Sequence, residues 1–381
     1  MSRKIKVISV FGTRPEVIKT APVIKELKRY PGVIESKVII SAQHRIMVDQ
    51  FLGLFNIKAD FDLNIMRPNQ TLFDITGRCL KKLEDILKKE KPDLVLVQGD
   101  TTTAFTASLA AYYLKIKVGH IEAGLRTDDK YRPFPEEMNR RIVSVIADLH
   151  FAPTLNAKNN LVREGISQSR IHITGNTVID SLLEIAKRKH VFRDNLLSKI
   201  SSGGKKIILV TAHRRESFGK PLECICKALK EIAQLCDVEI VYPVHLNPNV
   251  QAPVNRILGG VRNIHLIEPM EYEPFVHLMK MSYIVLTDSG GVQEEAPSLG
   301  KPVLVMREVT ERPEGVKAGN AKLVGMDKRK IVSSVRKLLD SRSAYYKMSK
   351  AANPYGDGKA AKRIVNVIMA LRSELAGSYN G

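Results

Sequence analysis

The chain has 381 residues, of which 44% are hydrophobic and 26% charged, so it is long enough for two globular domains with full cores. A formal charge of +20 indicates a polyanionic partner such as a nucleotide, whereas 6% aromatic residues and no Trp argue against nucleic acid. No apolar run reaches the length of a membrane span, no signal peptide is visible and the four cysteines show no metal spacing, so we expect a cytoplasmic protein with reduced thiols and no membrane partner.

Apolar runs rich in β-branched residues alternate with helical patterns along almost the whole chain. This alternation predicts an α/β protein built from βαβ units, with parallel sheets and helices on both faces. The pattern changes between residues 172 and 205, which predicts a junction between one domain over 1–172 and a second over 173–358. Ligands bind at the carboxyl ends of strands in such sheets, so the polar residues there are the site candidates.

The first strand, Ile5–Phe11, leads into a helix that begins near Pro15, a residue suited to a first helical turn. Arg14 therefore lies at a helix mouth, where its guanidinium can bind a phosphate, and Lys19 follows one turn later. An exposed Arg beside an ordinary helix start is an equally good interpretation of this segment alone.

Three carboxylates follow strands or open helices in the first half of the chain. Asp100 comes after the strand Leu94–Val97, Glu122 follows the strand Lys117–Ile121, and Glu136 opens a helix after a proline-rich loop. Because these positions share one sheet edge, the three acids are predicted to converge. For Asp100, a simple helix N-cap is the alternative.

The second half repeats the arrangement with cationic and aromatic side chains. A strand beginning at Ile207 precedes His213 and Arg214, and a strand ending at Tyr242 precedes His245. The strand Ile264–Ile267 is followed by Tyr272 and Phe275, which either flank a base or pack in the core, and the run Val303–Met306, before Arg312, is predicted to be the last strand.

One stretch of the second half predicts an anion site. The strand Tyr283–Thr287 meets Asp288 and Ser289, both good helix N-caps, and two glycines then precede a helix that Gly300 ends. Bare backbone N–H groups at such a helix start suit a phosphate, although a tight turn without ligand is the alternative. The candidates are Ser289, Gly290 and Gly291 for the phosphates and Glu294 for a sugar hydroxyl.

Seven motifs in a fixed order make the pattern jointly specific. They are Gly12-Thr13-Arg14-Pro15-Glu16, Gly99-Asp100-Thr101, Glu122-Ala123-Gly124-Leu125-Arg126, Pro135-Glu136-Glu137-Met138-Asn139-Arg140, His213-Arg214-Arg215-Glu216, Asp288-Ser289-Gly290-Gly291-Val292-Gln293-Glu294-Glu295 and Glu311-Arg312-Pro313-Glu314. Over essentially its whole length the chain resembles the non-hydrolysing UDP-N-acetylglucosamine 2-epimerases of bacteria and archaea.

The resemblance implies a GT-B fold, with two Rossmann-like doubly wound domains, an active site in the cleft and a last helix, 359–381, that returns to the first domain. It implies reversible inversion at the second carbon of the sugar, which interconverts UDP-N-acetylglucosamine (UDP-GlcNAc) and UDP-N-acetylmannosamine (UDP-ManNAc) through UDP elimination and re-addition. It also implies a homodimer without metal or other cofactor, whose product feeds envelope polysaccharide synthesis.

Through the matching motifs, the resemblance implies a role for individual residues of this chain. The implied catalytic residues are Asp100, Glu122, Glu136, His213, Arg14 and Lys19. The implied UDP contacts are Arg14, His213, Tyr272, Phe275, Ser289, Gly290, Gly291, Glu294 and Arg312. A second, regulatory UDP-GlcNAc site of bacterial members would use Gln43, His44, Glu136, Arg214 and His245.

Three positions depart from the family pattern. Ile46 stands where regulated members carry a second Gln, Asn69 where they carry an Arg, and Ser217 where Asn is usual. Losing the Arg removes a charge-assisted contact, so activation by substrate is expected to be weak or absent. A GT-B glycosyltransferase, a hydrolysing epimerase and a nucleic-acid-binding module are the competing interpretations.

Overall fold

The computed structural model describes residues 3–41 and 45–376, with the side chains of 45–47 and 376 excepted. The chain forms two compact units, the first comprising Met1–Ser181 with Gly356–Gly381 and the second Leu182–Tyr355. The sequence placed its junctions at 172/173 and 358/359, and the division of function between the two domains stays a prediction.

The first unit is a seven-stranded parallel sheet in the order β3-β2-β1-β4-β5-β6-β7. Its central strands are buried on both faces, which explains their continuous apolar runs. In β1, Ile8 and Val10 join one core cluster, whereas Ile5 and Val7 join another, because successive side chains point to opposite faces. The strands are β1 (Ile5–Phe11), β2 (Ile34–Ile40), β3 (Phe61–Asp62), β4 (Leu94–Gln98), β5 (Lys117–Ile121), β6 (Leu149–Ala152) and β7 (Ile171–Ile173).

Helices connect these strands, and the last ones follow the second unit in the chain. They are α1 (Arg14–Leu27), α2 (Arg45–Phe55), α3 (Leu72–Glu90), α4 (Thr102–Tyr113), α5 (Glu136–Ile146), α6 (Leu155–Arg163) and α7 (Thr177–Lys187), which contains the boundary between the units. The final helical segment is divided at Leu371, and Ile364 and Ile368 pack in the first unit's core.

The second unit is a six-stranded parallel sheet in the order β10-β9-β8-β11-β12-β13. Its strands are β8 (Lys206–Thr211), β9 (Val238–Pro243), β10 (Ile264–Ile267), β11 (Ile284–Thr287), β12 (Val303–Val305) and β13 (Ala321–Leu323). Its helices are α8 (Asn195–Ser202), α9 (Lys220–Leu235), α10 (Pro248–Leu258), α11 (Tyr272–Met281), α12 (Gly290–Glu295), α13 (Pro313–Ala318), α14 (Lys328–Asp340) and α15 (Arg342–Ser349), and the first unit then resumes with α16 (Ala360–Ala370) and α17 (Arg372–Ala376).

The prediction that Val303–Met306 is the last strand was wrong. β13 pairs with β12 in parallel at the sheet edge. Its three residues are too few for a two-residue period to be recognised in sequence, and Lys322 in its middle is exposed. Among the helices of the two described ranges, none combines the length and the apolar character that a bilayer crossing requires.

The start of α16 is held by a buried carboxylate. Backbone N–H groups of Ala360 and Ala361 donate to Asp180 at 3.2 and 3.0 Å. Burial raises the pKa of Asp180 to about 6, although these N–H groups oppose the shift. The carboxylate is therefore more costly to ionise in the folded chain than in the unfolded chain.

This contact predicts a pH dependence of stability. Between pH ~4 and pH ~6 the folded state retains a proton that the unfolded state has lost, so stability falls as the pH rises through this window. We expect the unfolding free energy of wild type, relative to Asp180→Asn, to decrease by about 2 kcal/mol across it. Urea unfolding followed by circular dichroism at several pH values measures this difference, and a difference independent of pH would contradict the assignment.

Candidate active site

Glu122 is the most heavily contacted carboxylate at the edge of the first sheet. It follows β5 with a φ of +65°, a strained value for a residue other than glycine. Lys19 Nζ, on α1, lies 2.7 and 2.5 Å from its two oxygens. The side-chain amides of Gln98 and Asn176 donate to the same carboxylate at 3.1 and 2.9 Å. Three donors from different elements therefore fix both the charge and the orientation of Glu122.

Asp100 lies at the end of the neighbouring strand, β4. The interpretation of Asp100 as only a helix cap was wrong, because Thr101 is the N-cap of α4 and its hydroxyl accepts from Ala104 N–H at 3.1 Å. The Asp100 carboxylate instead pairs with Arg140 of α5, and Asn139 donates to its backbone carbonyl at 3.0 Å.

Glu136 begins α5, the helix that contacts Asp100. Residues three and four positions apart share a helix face, so Glu136 lies on the face that carries Asn139 and Arg140 toward Asp100. Its Oε2 atom is buried without a hydrogen-bond partner. The structure thus places two of the three predicted acids on adjacent strands and the third on a helix that contacts one of them.

A fourth carboxylate, Glu16, organises the turn beneath these groups. It is 1% exposed and accepts from Gly12 N–H, Thr13 N–H and the Thr13 hydroxyl at 2.7–2.9 Å, and from the Thr101 hydroxyl at 2.6 Å. Burial raises the pKa of Glu16, against the effect of the four donors. Glu16 therefore ties the turn before α1 to the residue that follows Asp100.

Gly12 is required by close packing at the same turn. A Cβ there would lie 1.9 Å from Ser41 Oγ and 2.7 Å from Thr103 Oγ1. Arg14, next along the chain, is exposed, and its guanidinium lies 5.8 Å from the Phe51 ring centroid. An exposed guanidinium beside a tight backbone turn is available to an anionic ligand.

Sequence reasoning missed Gln98 and Asn176, two of the groups that hold Glu122, and one prediction follows for Asn176. We expect Asn176→Ala to lower turnover about 10-fold, the value of one charge-assisted hydrogen bond, and Asn176→Asp to lower it further, because a second carboxylate would stand beside the first. Steady-state rates against pH measure both. Asn263→Ala, which removes an amide bonded only to the backbone of the second unit, is the control and should leave turnover unchanged. Equal rates for wild type and Asn176→Asp would remove Asn176 from the site.

In the second unit, the carboxylate of Asp288 holds the backbone turn that carries His213 and Arg214. The prediction that Asp288 caps the following helix was wrong: it is 0% exposed, and its Oδ2 accepts from His213 and Arg214 N–H, both at 2.7 Å. Its Oδ1 lies 3.5 Å from His213 Nδ1. β11 and β8 are neighbours in the sheet, which brings the ends of both strands together.

His213 and Arg214 are the cationic candidates at this edge. Burial lowers the pKa of His213, while the charge of Asp288 opposes the shift. The imidazole stacks on His245 with ring centroids 5.6 Å apart. A bound anion would raise the pKa of His213 again.

The helix after the predicted anion turn begins two residues earlier than expected. Gly290 and Gly291 are the first residues of α12 rather than a turn before it, and Ser289 is the N-cap without a side-chain cap bond. A Cβ on Gly290 would lie 3.6 Å from Arg214 Nη2, so the guanidinium lies close above the glycine backbone. α12 passes into a 3-10 turn at Ala296–Leu299 and ends at Gly300, as predicted, with φ +69°.

Glu294 and Arg312 form an ion pair with each other. The Thr310 hydroxyl accepts from Arg312 N–H at 3.0 Å, and the Tyr355 hydroxyl donates to the Arg312 carbonyl at 3.0 Å. Asn353 donates to the Glu294 carbonyl at 2.9 Å. Tyr355 and Asn353 were missed, because nothing in the sequence marks residues 43 and 59 positions downstream as partners of Arg312 and Glu294.

Tyr272 and Phe275 share the first turn of α11. The Tyr272 hydroxyl donates to Glu295 at 2.8 Å, and burial raises the pKa of Tyr272 well above its usual range, with the charge of Glu295 adding to the shift. Phe275 packs partly against the core. The rings are therefore held in place by protein contacts while remaining partly accessible.

The candidate regulatory set is only partly described. Gln43 and His44 lie outside the described residues, as does the side chain of Ile46. Glu136 belongs to the first unit, whereas Arg214 and His245 belong to the second. Asn69, at the substituted position, is exposed and has a φ of +53° in the loop before α3.

Comparison with known proteins identifies the family. The model of the UDP-N-acetylglucosamine 2-epimerase family matches residues 25–369. A UDP-N-acetylglucosamine 2-epimerase of Salmonella typhimurium is 55% identical over 378 residues, covering 97% of this chain and 100% of the relative. The structure of the Neisseria meningitidis UDP-GlcNAc 2-epimerase bound to UDP-GlcNAc is 52% identical, with a TM-score of 0.83 over 96% of this chain and 100% of that one.

A more distant solved structure agrees. The Methanocaldococcus jannaschii UDP-GlcNAc 2-epimerase in complex with UDP-GlcNAc and UDP is 36% identical, with a TM-score of 0.75 over 96% of this chain and 100% of that one. The predictions of the α/β class, a GT-B-like fold and an epimerase are confirmed. The chain belongs to the UDP-N-acetylglucosamine 2-epimerase family.

Proposed function

We propose that the protein interconverts UDP-GlcNAc and UDP-ManNAc by eliminating and re-adding UDP, without net hydrolysis. The observation that carries this proposal is the pair of carboxylates Asp100 and Glu122 at the ends of adjacent strands, each held by a cation. Relatives whose structures contain UDP-GlcNAc or UDP support the choice of substrate.

The proposed chemistry requires carboxylates close to the sugar and groups that bind the diphosphate of UDP. The hydrogen on the second carbon is not acidic until the bond from the anomeric carbon to UDP weakens and oxocarbenium character develops. A carboxylate then takes that proton, the C–H electrons form the double bond of a glycal, and UDP leaves with the electrons of the broken C–O bond. Return of a proton to the opposite face and re-formation of the C–O bond give the epimer.

Asp100, Glu122 and Glu136 are the proposed proton carriers and cation stabilisers. Lys19, bound to Glu122, would hold that carboxylate in position. Which acid removes the proton and which returns it is a separate assignment for each direction of the reaction.

UDP binding is proposed for the second unit, with Arg14 contributing from the first. Ser289, Gly290, Gly291 and His213 would neutralise the leaving diphosphate. Glu294, oriented by Arg312, would accept from the ribose hydroxyls, and Tyr272 and Phe275 would flank the uracil. Binding energy from these remote groups would be used to stabilise the departing UDP in the transition state.

Incubation with UDP-GlcNAc in deuterium oxide tests the proposal. We expect UDP-ManNAc with one deuteron at the second carbon, and a trace of free UDP and glycal. Proton NMR detects the label, and mass spectrometry confirms that the UDP-sugar is intact.

Other outcomes would identify the competing functions. Free N-acetylmannosamine with UDP would indicate a hydrolysing epimerase. Sugar transfer to an added acceptor, with no label at the second carbon, would indicate a glycosyltransferase. Unchanged UDP-GlcNAc together with salt-dependent binding to DNA or RNA would indicate a nucleic-acid protein.

Substrate activation is predicted to be weak or absent in this protein. Asn69 is neutral and Ile46 is apolar where regulated relatives are expected to carry Arg and Gln, so a second UDP-GlcNAc would lose a charge-assisted contact. We expect a hyperbolic rate curve, and a reverse reaction from UDP-ManNAc that starts without added UDP-GlcNAc. A sigmoidal curve or an obligatory UDP-GlcNAc requirement would contradict this prediction.

Three further properties belong to the same proposal. The protein would act in the cytoplasm as a homodimer, and its UDP-ManNAc would serve envelope polysaccharide synthesis. Analytical ultracentrifugation of the full chain tests the oligomeric state. Loss of N-acetylmannosamine from envelope polysaccharide in a deletion strain tests the cellular role.

A further inference from the structure

Three side chains that the proposed epimerase chemistry does not use lie together in the second unit. Glu273 and His277 are one turn apart on α11, and His190 lies on the irregular segment after α7. One nitrogen of each imidazole and one oxygen of the carboxylate all lie within 4.8 Å of one another. These are three side chains of the types that bind divalent transition metals.

The two histidines have buried ring nitrogens without a partner. His277 is 6% exposed, and Nε2 of His190 and of His277 are each inaccessible to solvent and form no hydrogen bond. A buried polar atom without a partner is unfavourable, and such atoms are uncommon in folded proteins. Two of them on the histidines of one cluster with a carboxylate therefore point to a bound ligand.

His277 keeps one ring nitrogen for a ligand. The residue is 6% exposed, and its Nε2 is buried without a hydrogen-bond partner. Histidine binds a metal through an unprotonated ring nitrogen while the other nitrogen carries the proton.

Binding requires one local adjustment. The two imidazoles are stacked, with centroids 4.6 Å apart and planes 6° from parallel, so their lone pairs run side by side. His190 lies outside the helices, and ion binding would require its ring to turn until the two lone pairs converge. The Glu273 carboxylate now lies 3.6 Å from the Arg188 guanidinium, a contact that an ion would replace.

We propose that His190, Glu273 and His277 bind one Zn²⁺ or similar first-row divalent cation, with water completing the coordination. Two imidazoles and one carboxylate with an open position are a ligand set that suits this class of ion. The ion would tie α11, which also carries Tyr272 and Phe275, to the segment that follows α7. The role is structural and does not depend on the proposed epimerase chemistry.

The test uses the untagged full-length protein, freed of metal with a chelator and titrated with ZnCl₂. We expect one ion per chain by calorimetry, and a rise of about 5 °C in the thermal midpoint at hundredfold excess over Kd, reversed by chelator. His190→Ala and Glu273→Gln should each weaken binding at least ~10-fold, since even outer partners of metal ligands contribute 10–100-fold.

His172→Ala is the matched control. His172 also has an unpartnered Nε2, but it lies on β7 in the first unit, outside the cluster. Its loss should leave zinc affinity unchanged. Absence of binding in wild type, or the same affinity in wild type, His190→Ala and Glu273→Gln, would overturn the proposal and show at most adventitious binding. Glu273→Gln and His190→Ala change partly exposed groups, so misfolding does not confuse the result.

Discussion

Replacing Asp100 with Asn is expected to lower the turnover of UDP-GlcNAc at least ~100-fold, the lower range for loss of a general acid or base. The amide has the shape of the carboxylate and can still accept from Arg140, but it can neither carry a proton nor stabilise a developing cation by charge. Because the contact of Asn139 is with the Asp100 backbone, it survives the substitution. Proton NMR of the anomeric signals of the two UDP-sugars measures the rate.

The matched control is Asp85→Asn, which removes one exposed carboxylate from α3 and should leave turnover at the wild-type value. Circular dichroism of both variants shows that the fold is retained. Near-normal turnover of Asp100→Asn would exclude Asp100 from the chemistry and leave Glu122 and Glu136 as the candidates.

The second large effect concerns stability. We expect Glu16→Ala to lower the thermal midpoint of the first unit by about 10 °C, because four donors in a buried turn lose their acceptor at once. A buried donor left without its acceptor costs about 1–3 kcal/mol, so the loss is expected to reach at least about 3 kcal/mol, and each kcal/mol corresponds to about 2–4 °C for a unit of this size. Circular dichroism is the suitable probe, since the chain has no Trp.

Glu26→Ala on the same helix is the control for this substitution. Among the described residues, the Glu26 carboxylate has a single ion pair, with the exposed Arg29 at 3.0 Å, so its removal should cost much less than the loss of four buried contacts. A Glu16→Ala midpoint equal to that of Glu26→Ala would show that the four hydrogen bonds contribute nothing to stability. Activity should also fall in Glu16→Ala, because Thr101, next to Asp100, loses its tether.

The candidate site was predictable where a polar residue directly follows a strand. Asp100, Glu122 and His213 are recognisable in this way, because the ends of parallel strands meet at one edge of a sheet. Gln98 and Asn176 were not recognisable as supports of Glu122. Gln98 ends an apolar strand, and Asn176 reaches Glu122 from a loop 54 positions away.

The wrong interpretations of Asp288 and of the last strand have different causes. Asp288 satisfies every local rule for an N-cap, yet its carboxylate binds backbone groups 75 and 74 positions upstream. Helix-capping rules describe only the nearest turn of chain, and a buried carboxylate takes whichever N–H donors the tertiary fold places beside it. β13 was missed because three residues carry too little periodicity.

By itself, the sequence determined the α/β class, the order of most elements and the acids at the strand ends, because β-branched runs and helical periods are local properties of the chain. Tertiary structure alone decided the pairings: Glu16 with Thr101, Asp288 with the His213 turn, and His190 with His277. The pairing of β1 with β4 and of β8 with β11 places the first two sets together, and packing of α11 beside the segment after α7 places the third. Such contacts join residues that are distant in sequence, so they follow from strand order and helix packing rather than from any local pattern.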